Sequence, residues 1–295
     1  MSKVFVPPVK CQGIKTKLVP LILANTDLAE GGVWCEPFMG SGVVGFNVRP
    51  KKALFSDINP HIIAFYEALK RSAITPETVR TFLENEGLKL RERGEAHFYF
   101  VRERFNQEFN PLDFLFLSRS CFNGMIRFNK SGEFNVPFCR KPRRFTAAYI
   151  TKIVNQVRYV WEATNHYDWQ YDCIPFESAI EKAGARDLIY CDPPYLGRHV
   201  DYYDSWSERD ERLLHWLLSR TSARFILSTW HSNRYRRNPM LDTLWADFNI
   251  VTKEHFYHVG AKEGNRNPVL EALVMNFVPS SGDAEAHKAK QHTLW

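Results

Sequence analysis

Asp192-Pro193-Pro194-Tyr195 directly follows the apolar run Leu188-Ile189-Tyr190-Cys191, which puts a carboxylate where a buried strand gives way to a loop. Two successive prolines fix two φ angles and remove two backbone donors, so a carboxylate and an aromatic ring are held in fixed relation while the loop carbonyls stay free to accept. This geometry suits a flat amine. The lone pair of an exocyclic amine is delocalised into its ring, which makes the nitrogen a poor nucleophile. Asp192 accepting one amine hydrogen and the Pro193 carbonyl accepting the other would localise the pair for attack on an electrophilic carbon, by positioning and electrostatics. Tyr195 offers a face for the ring. An ordinary proline-rich turn after a strand is the plain alternative.

A second constellation, Glu36-Pro37-Phe38-Met39-Gly40-Ser41-Gly42, lies between a strand and a helix that begins near Val43. Its two glycines allow a ligand to approach the backbone closely, a feature many structural turns share. It lacks a third, suitably placed glycine, and Glu36 at the strand end repels a pyrophosphate and attracts a cationic ligand, which argues against a dinucleotide. Asp57 ends the next strand, where doubly wound folds place an acid on ribose hydroxyls. Asp172 follows the strand Trp169 to Tyr171. Asp57 and Asp172 serve equally well as N-caps of the helices after them. The six cysteines (Cys11, Cys35, Cys121, Cys139, Cys173, Cys191) form no C-x-x-C pair, which favours reduced thiols and predicts no structural metal.

Charge is localised. Between Arg119 and Arg158 nine basic residues (Arg119, Arg127, Lys130, Arg140, Lys141, Arg143, Arg144, Lys152, Arg158) face the single acid Glu133, a local +8 against +6 for the whole chain. The segment reads as a phosphate-binding surface, or more plainly as a solvated basic face. With 295 residues, 44% of them hydrophobic, the chain can build one large α/β domain with an insertion, or two domains. No apolar run approaches a membrane span and the first residues carry no secretory pattern, so a cytoplasmic location is expected.

Several elements must position these groups. Strands are predicted at Val33–Phe38, Ala53–Ser56, Trp169–Tyr171, Leu188–Cys191, Phe225–Ser228, Ile250–Tyr257 and Leu270–Phe277. Helices are predicted after Asn59-Pro60, from Thr75-Pro76-Glu77 towards Glu84, over most of 87–118, from Thr146 to about Ala163, and from about Ser207 to Ser219. Cys121 to Phe138 reads as strand-like and turn-rich, with Lys130-Ser131-Gly132 as a hairpin turn. Gly260 to Asn267 reads as mobile, and 279–295 as a disordered tail.

Together these residues resemble the Dam-type, D12 class of DNA adenine-N6 methyltransferases. The likeness covers about 8–278 and rests on Lys10-Cys11-Gln12-Gly13-Ile14-Lys15, the Glu36–Gly42 motif, Asp57-Ile58-Asn59, the segment from Arg119 through Phe122-Asn123-Gly124 and Arg127 to Phe138, and Asp192-Pro193-Pro194-Tyr195, in the family's order. It implies an α/β, Rossmann-like methyltransferase sheet (1–70 and 165–278) with an inserted, mostly helical target-recognition domain (71–164) carrying a β-hairpin. It further implies S-adenosylmethionine as cofactor, with Lys15, Glu36, Pro37, Phe38, Gly40 and Gly42 on its methionine side, Asp57 on the ribose, and Asp172 with Cys173 at the adenine. Asp192, Pro193, Pro194 and Tyr195 would be catalytic, acting on an adenine flipped out of double-stranded DNA. Lys10, Arg119, Phe122, Asn123, Met125, Arg127 and Asn129 would meet the target site, and Arg140, Lys141, Arg143 and Arg144 its phosphates. Core packing is the competing reading for Phe122, Phe128, Phe134 and Phe138, expected to hold for at least two of the four. Lys10, Met125 and Arg127 stand where Dam-type enzymes touch the target, so the resemblance implies a GATC-like site. The first motif departs from the family, with Cys11 and Ile14 where an aromatic residue and a second glycine are usual. An RNA adenine-N6 methyltransferase and a non-catalytic DNA-binding module remain as alternatives; cytosine-N4 enzymes related to this class usually carry Ser at the position of Asp192.

Overall fold

The computed structural model describes residues 3–196, 206–256, 268–281 and 283–284. Short runs of β-branched, aromatic and aliphatic residues build strands β1 (Trp34–Glu36), β2 (Lys52–Ser56), β3 (Asp168–Asp172), β4 (Leu188–Cys191), β5 (Arg224–Ser232), β6 (Asn249–Phe256), β7 (Pro268–Met275) and the two-residue β8 (Asp283–Ala284). They form one sheet of order β3-β2-β1-β4-β5-β7-β6-β8. The first five are parallel and β7 runs antiparallel between β5 and β6. Every residue of β1 and β4 is buried, as expected of parallel strands covered on both faces. β3, at an edge, alternates buried and less buried positions. The order reverses beside β1, which pairs β2 on one side and β4 on the other; the crevice beyond the carboxyl ends of β1 and β4 is therefore where a ligand is expected.

Ten α-helices accompany the described strands: α1 (Val19–Asn25), α2 (Val43–Val48), α3 (Pro60–Lys70), α4 (Pro76–Arg93), α5 (Glu95–Glu108), α6 (Pro111–Ser120), α7 (Ala147–His166), α8 (Phe176–Glu181), α9 (Glu208–Leu218) and α10 (Pro239–Thr243). Thr75 starts α4 and Ser207 starts α9, each through a reciprocal capping box. Helix α4 runs nine residues beyond the expected Glu84. Gly87 weakens its intrinsic propensity, but a Cβ there would meet Phe145 Cβ at 2.8 Å, so close packing with the chain before α7 requires that glycine and extends the helix past it.

One core on a face of the sheet, including Trp34, Phe46, Phe55 and Trp169, continues without interruption into the helical block through Phe105, Phe114 and Phe134. The other face is covered by α8–α10 around Phe225 and Trp245. No helix among the described residues is long and apolar enough to cross a membrane.

The 121–138 segment is less regular than the predicted strands. It contains one 3-10 turn, Phe122–Gly124, and isolated bridges Cys121–Phe138 and Phe128–Phe134, around a turn in which Gly132 N donates to Asn129 O at 3.0 Å. Consecutive left-handed residues, Asn123 (φ 54°) and Gly124 (φ 66°), interrupt any ladder there. The chain also stays anchored beyond 278. Asn25 Oδ1 accepts from Ser280 N and Ser281 N at 2.8 and 3.2 Å, and Asp283–Ala284 pairs with β6, which corrects the expectation of a tail free from 279 onwards. The rest of that tail and the Gly260–Asn267 stretch lie outside the described residues.

Candidate active site

The crevice at the sheet's switch point is built from backbone upward. Strand β1 delivers Glu36 into the interior, where its Oε2 accepts from Trp34 Nε1 (2.9 Å) and Gly45 N (3.0 Å). Burial lifts its pKa to about 8, against the opposing pull of those two donors. Gly42 adopts φ 73°, and a Cβ on it would approach the Phe46 ring to 2.6 Å; Gly40 (φ 49°) faces open space instead. Asp57, at the end of β2, ties this loop down: Oδ2 accepts from Gly40 N at 2.8 Å and Oδ1 from Asn59 N at 2.9 Å. Asn59, not Asp57, caps α3, through its side chain on His61 N and Ile62 N. Burial raises the Asp57 pKa, and the amide donors oppose that shift.

On the other side of the switch point, β4 ends at Asp192. Lys15 Nζ, itself buried, lies 2.7 Å from Asp192 Oδ1, donates to Gly13 O at 3.0 Å and sits 4.9 Å from the centroid of the Tyr195 ring. Tyr195 is fixed at its far end, its hydroxyl donating to Glu271 Oε2 at 2.6 Å. Glu271 stands on β7 and is almost fully buried. Burial raises the Asp192 pKa above the ordinary carboxylate range; Lys15 works against the shift and Glu271 adds to it.

Between these two halves lies a cavity of about 380 Å³. Gly40, Asp57 and Asn59 line one side and Asp192 and Pro194 another, with Pro37 and Phe38 at the loop. Phe38, Phe176 and Trp206 make an aromatic wall, with ring centroids 5.3–5.6 Å apart. Trp206 Nε1 donates to Glu211 Oε2 at 2.8 Å, while Glu211 Oε1 accepts from Trp245 Nε1 at 3.0 Å, so one buried carboxylate orients the indole. Ile126 and Phe128 reach the cavity from the helical block, and Phe128 stacks on His61 of α3 at 4.8 Å.

Sequence reasoning located Pro37, Phe38, Gly40, Asp57, Asp192 and Pro194, all of which line the cavity. It placed others there that the structure puts elsewhere. Glu36 and Gly42 form the packed floor behind the loop. The carboxylate of Asp172 pairs with Lys182 Nζ at 3.0 Å, and the exposed Cys173 thiol faces the Ile58 carbonyl; neither lines the cavity. It missed Phe176, Trp206, Ile126 and Phe128, whose types are those of ordinary core residues, and the buried carboxylates Glu211 and Glu271, which act through Trp206 and Tyr195 from distant parts of the chain.

The basic segment divides. Arg119 is a correction: it is 3% exposed, and its guanidinium donates to the carbonyls of Pro7 and Pro8 and to Gln156 Oε1, pinning the N-terminal segment to the helical block. Asn129 is spent on its own turn, accepting from Ser131 N and Glu133 N and donating to Glu133 Oε2. Arg144 Nε donates to Arg119 O and its terminal nitrogen to Tyr149 Oη. Lys10 packs its stem on Gly124, where a Cβ would meet Lys10 Cδ at 2.6 Å. Arg127 bonds Asn135 Oδ1 at 2.7 Å, and Met125 is half-buried. Phe122, Asn123, Arg140, Lys141 and Arg143 are exposed. Arg91 joins Lys141, Arg143 and Arg144 around an open depression, a partner the sequence did not suggest. Of the four phenylalanines, Phe128, Phe134 and Phe138 are core and Phe122 is 51% exposed.

Fold and site together define an enzyme with a Rossmann-like sheet whose ligand crevice opens beyond β1 and β4. The model for D12 class N6 adenine-specific DNA methyltransferases matches residues 12–259, and the chain belongs to that family. It is 30% identical to the Type II methyltransferase M.MjaIII of Methanocaldococcus jannaschii, over 92% of this chain and 99% of that one. It is 28% identical to Type II methyltransferase M.FokI of Planomicrobium okeanokoites, over 88% of this chain and 40% of that protein. A DNA adenine methylase of Serratia marcescens is 33% identical over 57% of this chain and 59% of the relative. Adenine-specific methylation of DNA is the family's activity, and S-adenosylmethionine is the methyl donor that membership implies.

Proposed function

We propose that the protein methylates N6 of an adenine swung out of double-stranded DNA, and that the cavity between Asp57 and Asp192 takes S-adenosylmethionine. The observation that carries this reading is Asp192, paired with Lys15 beside the Tyr195 ring, lining a cavity whose opposite side is Gly40 and Asp57. The residues present suit the cofactor. Asp57, already oriented by two amides, fits ribose hydroxyls, the Phe38–Phe176–Trp206 wall fits a purine ring, and bare Gly40 leaves room beside the loop. Bound S-adenosylmethionine supplies an electrophilic methyl carbon on a positively charged sulfur.

The protein's own groups then have separable tasks. Lys15 holds Asp192 Oδ1 and works against the upward push that burial exerts on the carboxyl. The second Asp192 oxygen accepts one N6 hydrogen and the Pro193 carbonyl the other, so the nitrogen lone pair is drawn out of conjugation with the ring and points into the cavity. Tyr195, tethered to Glu271, presents a fixed ring plane for stacking on the extruded base; unstacking costs a few kcal/mol and leaves a gap in the duplex. Lys141, Arg143 and Arg91 face phosphates around their depression.

Asp192→Ala tests the assignment. With isotope-labelled methyl donor and duplex DNA, transfer should fall roughly a thousandfold while calorimetry still detects cofactor binding. Full activity in that variant would overturn the role given to Asp192, and equal labelling of structured RNA would overturn the choice of duplex DNA.

A further inference from the structure

One buried carboxylate beside the cavity has no part in the transfer chemistry. Glu211 of α9 is 5% exposed, and both its oxygens are engaged by indoles: Oε2 accepts from Trp206 Nε1 at 2.8 Å and Oε1 from Trp245 Nε1 at 3.0 Å. Burial raises its pKa and the two donors oppose the shift. A carboxylate in a protein interior is costly unless it is hydrogen-bonded. Two convergent N–H donors give it a reason to be there. Each indole needs an acceptor, and a carboxylate offers two acceptor oxygens with no donor, whereas an amide of the same shape offers one oxygen and a competing NH2 group.

The two indoles differ in how much they depend on that acceptor. Trp245 is fully buried among the rings of His215, Phe225 and Phe248, at centroid distances of 5.0–6.4 Å, and packing alone immobilises it. Trp206 is half-buried and precedes the N-cap Ser207, outside the turns of α9. The capping box of Ser207 and Asp210 fixes the backbone beside it but not its ring. Helices often staple the residue before the N-cap to the fourth helical residue through an apolar contact. Here the fourth residue is Glu211, and a hydrogen bond takes the place of that contact. On its other side Trp206 meets Phe38 and Phe176, each at 5.6 Å, where it lines the cavity together with Asp210. We propose that Glu211 is a positioning residue for the cofactor: it ties Trp206 to the immobile Trp245, so that the aromatic wall stands ready for a purine ring before the ligand arrives. The inference deepens the functional reading above and rests on it. An untethered indole would have to be ordered when the ligand binds, at a cost in affinity, whereas this one is ordered by folding. Glu211 does not itself line the cavity, so it acts only through Trp206.

Calorimetric binding of S-adenosylhomocysteine, the product left after methyl transfer, to the full-length protein tests it without turnover. Glu211→Gln leaves one indole without an acceptor and should weaken binding about tenfold. KM for the methyl donor should rise by the same factor while kcat and duplex affinity stay as in the wild type. Trp206→Phe keeps an aromatic ring but has no N–H to tether, and should lose a similar factor. Combining the two should cost no more than Trp206→Phe alone, because one amide oxygen then suffices for Trp245. A lowered melting temperature with unchanged affinity of the folded Glu211→Gln protein would reduce Glu211 to a structural role and overturn the inference, as would losses that multiply in the double variant. Should Glu211→Gln fail to fold, Trp206→Phe decides by itself, and unchanged affinity there is the adverse result. A wild type that binds the ligand and methylates duplex DNA, with unaltered affinity in the variants, overturns this inference alone; a wild type that binds no S-adenosylhomocysteine overturns the functional reading and this inference with it.

Discussion

The cavity floor and the basic segment from Cys121 to Arg144 are held in place differently. At the floor, Glu36, Asp57, Asp192 and Tyr195 each hang from a sheet strand or from the turn just past it, and every one has a partner within 3.0 Å. The basic segment owns no strand ladder; turns, two isolated bridges and three buried phenylalanines fix its backbone, and its tips remain in solvent. Sheet register can place reacting groups to within the tolerance that chemistry needs. A short loop on a rigid scaffold is the economical way to display side chains that must match an external partner. Arg119 belongs to the first regime although the sequence groups it with the second.

Several experiments can break or sharpen this contrast. The largest effect is expected at Glu36. Its folded pKa of about 8 lies above the ordinary glutamate value, so the folded state holds the proton more tightly. Stability should be undiminished below the ordinary value and fall as pH rises from about 5 to 8, by on the order of several kcal/mol. Glu36→Gln should flatten that decline in urea unfolding at pH 5 and 8; a wild-type curve that is already flat would refute the assignment.

Arg119→Ala strips buried carbonyls and Gln156 of their donor and should cost about 3 kcal/mol of stability. The salt slope of DNA binding should stay unchanged at temperatures where the variant is folded. A lowered slope would return Arg119 to the DNA-contacting set.

The smallest effects concern the exposed face. Arg127→Ala should erode discrimination between cognate and altered sites by about 1–3 kcal/mol, whereas Arg143→Ala should weaken binding to all duplexes alike and reduce the salt slope by about one. Competition binding with a panel of duplexes separates the two, and identical behaviour of the variants would remove the distinction between readout and phosphate contact.

Much of the framework was legible in the chain because its signals are local. The apolar run before Asp192, the proline pair after it, the glycines of the Glu36–Gly42 loop and the caps at Thr75 and Ser207 each act over a few residues, and the corresponding elements form where those signals stand. The helix expected to stop near Glu84 illustrates the limit: Gly87 is a weak helix former in isolation, and only the close approach of Phe145 Cβ explains why it is there. Charge counting failed at Arg119 for a similar reason, since a guanidinium serves phosphate and buried carbonyls equally well, and sequence does not record which surrounds it.

By itself the sequence determined the sheet's strands, the family and the chemistry available at Asp192-Pro193-Pro194-Tyr195, because residue type and short spacing fix strand ends, rigid turns and acceptor groups. Only the tertiary structure decided that Glu271, 76 residues from Tyr195, holds its hydroxyl, that Lys15 meets Asp192, and that Phe176, Trp206 and Phe128 enclose the same cavity. Those contacts depend on strand order and register, which bring together residues whose separation along the chain carries no trace of their proximity.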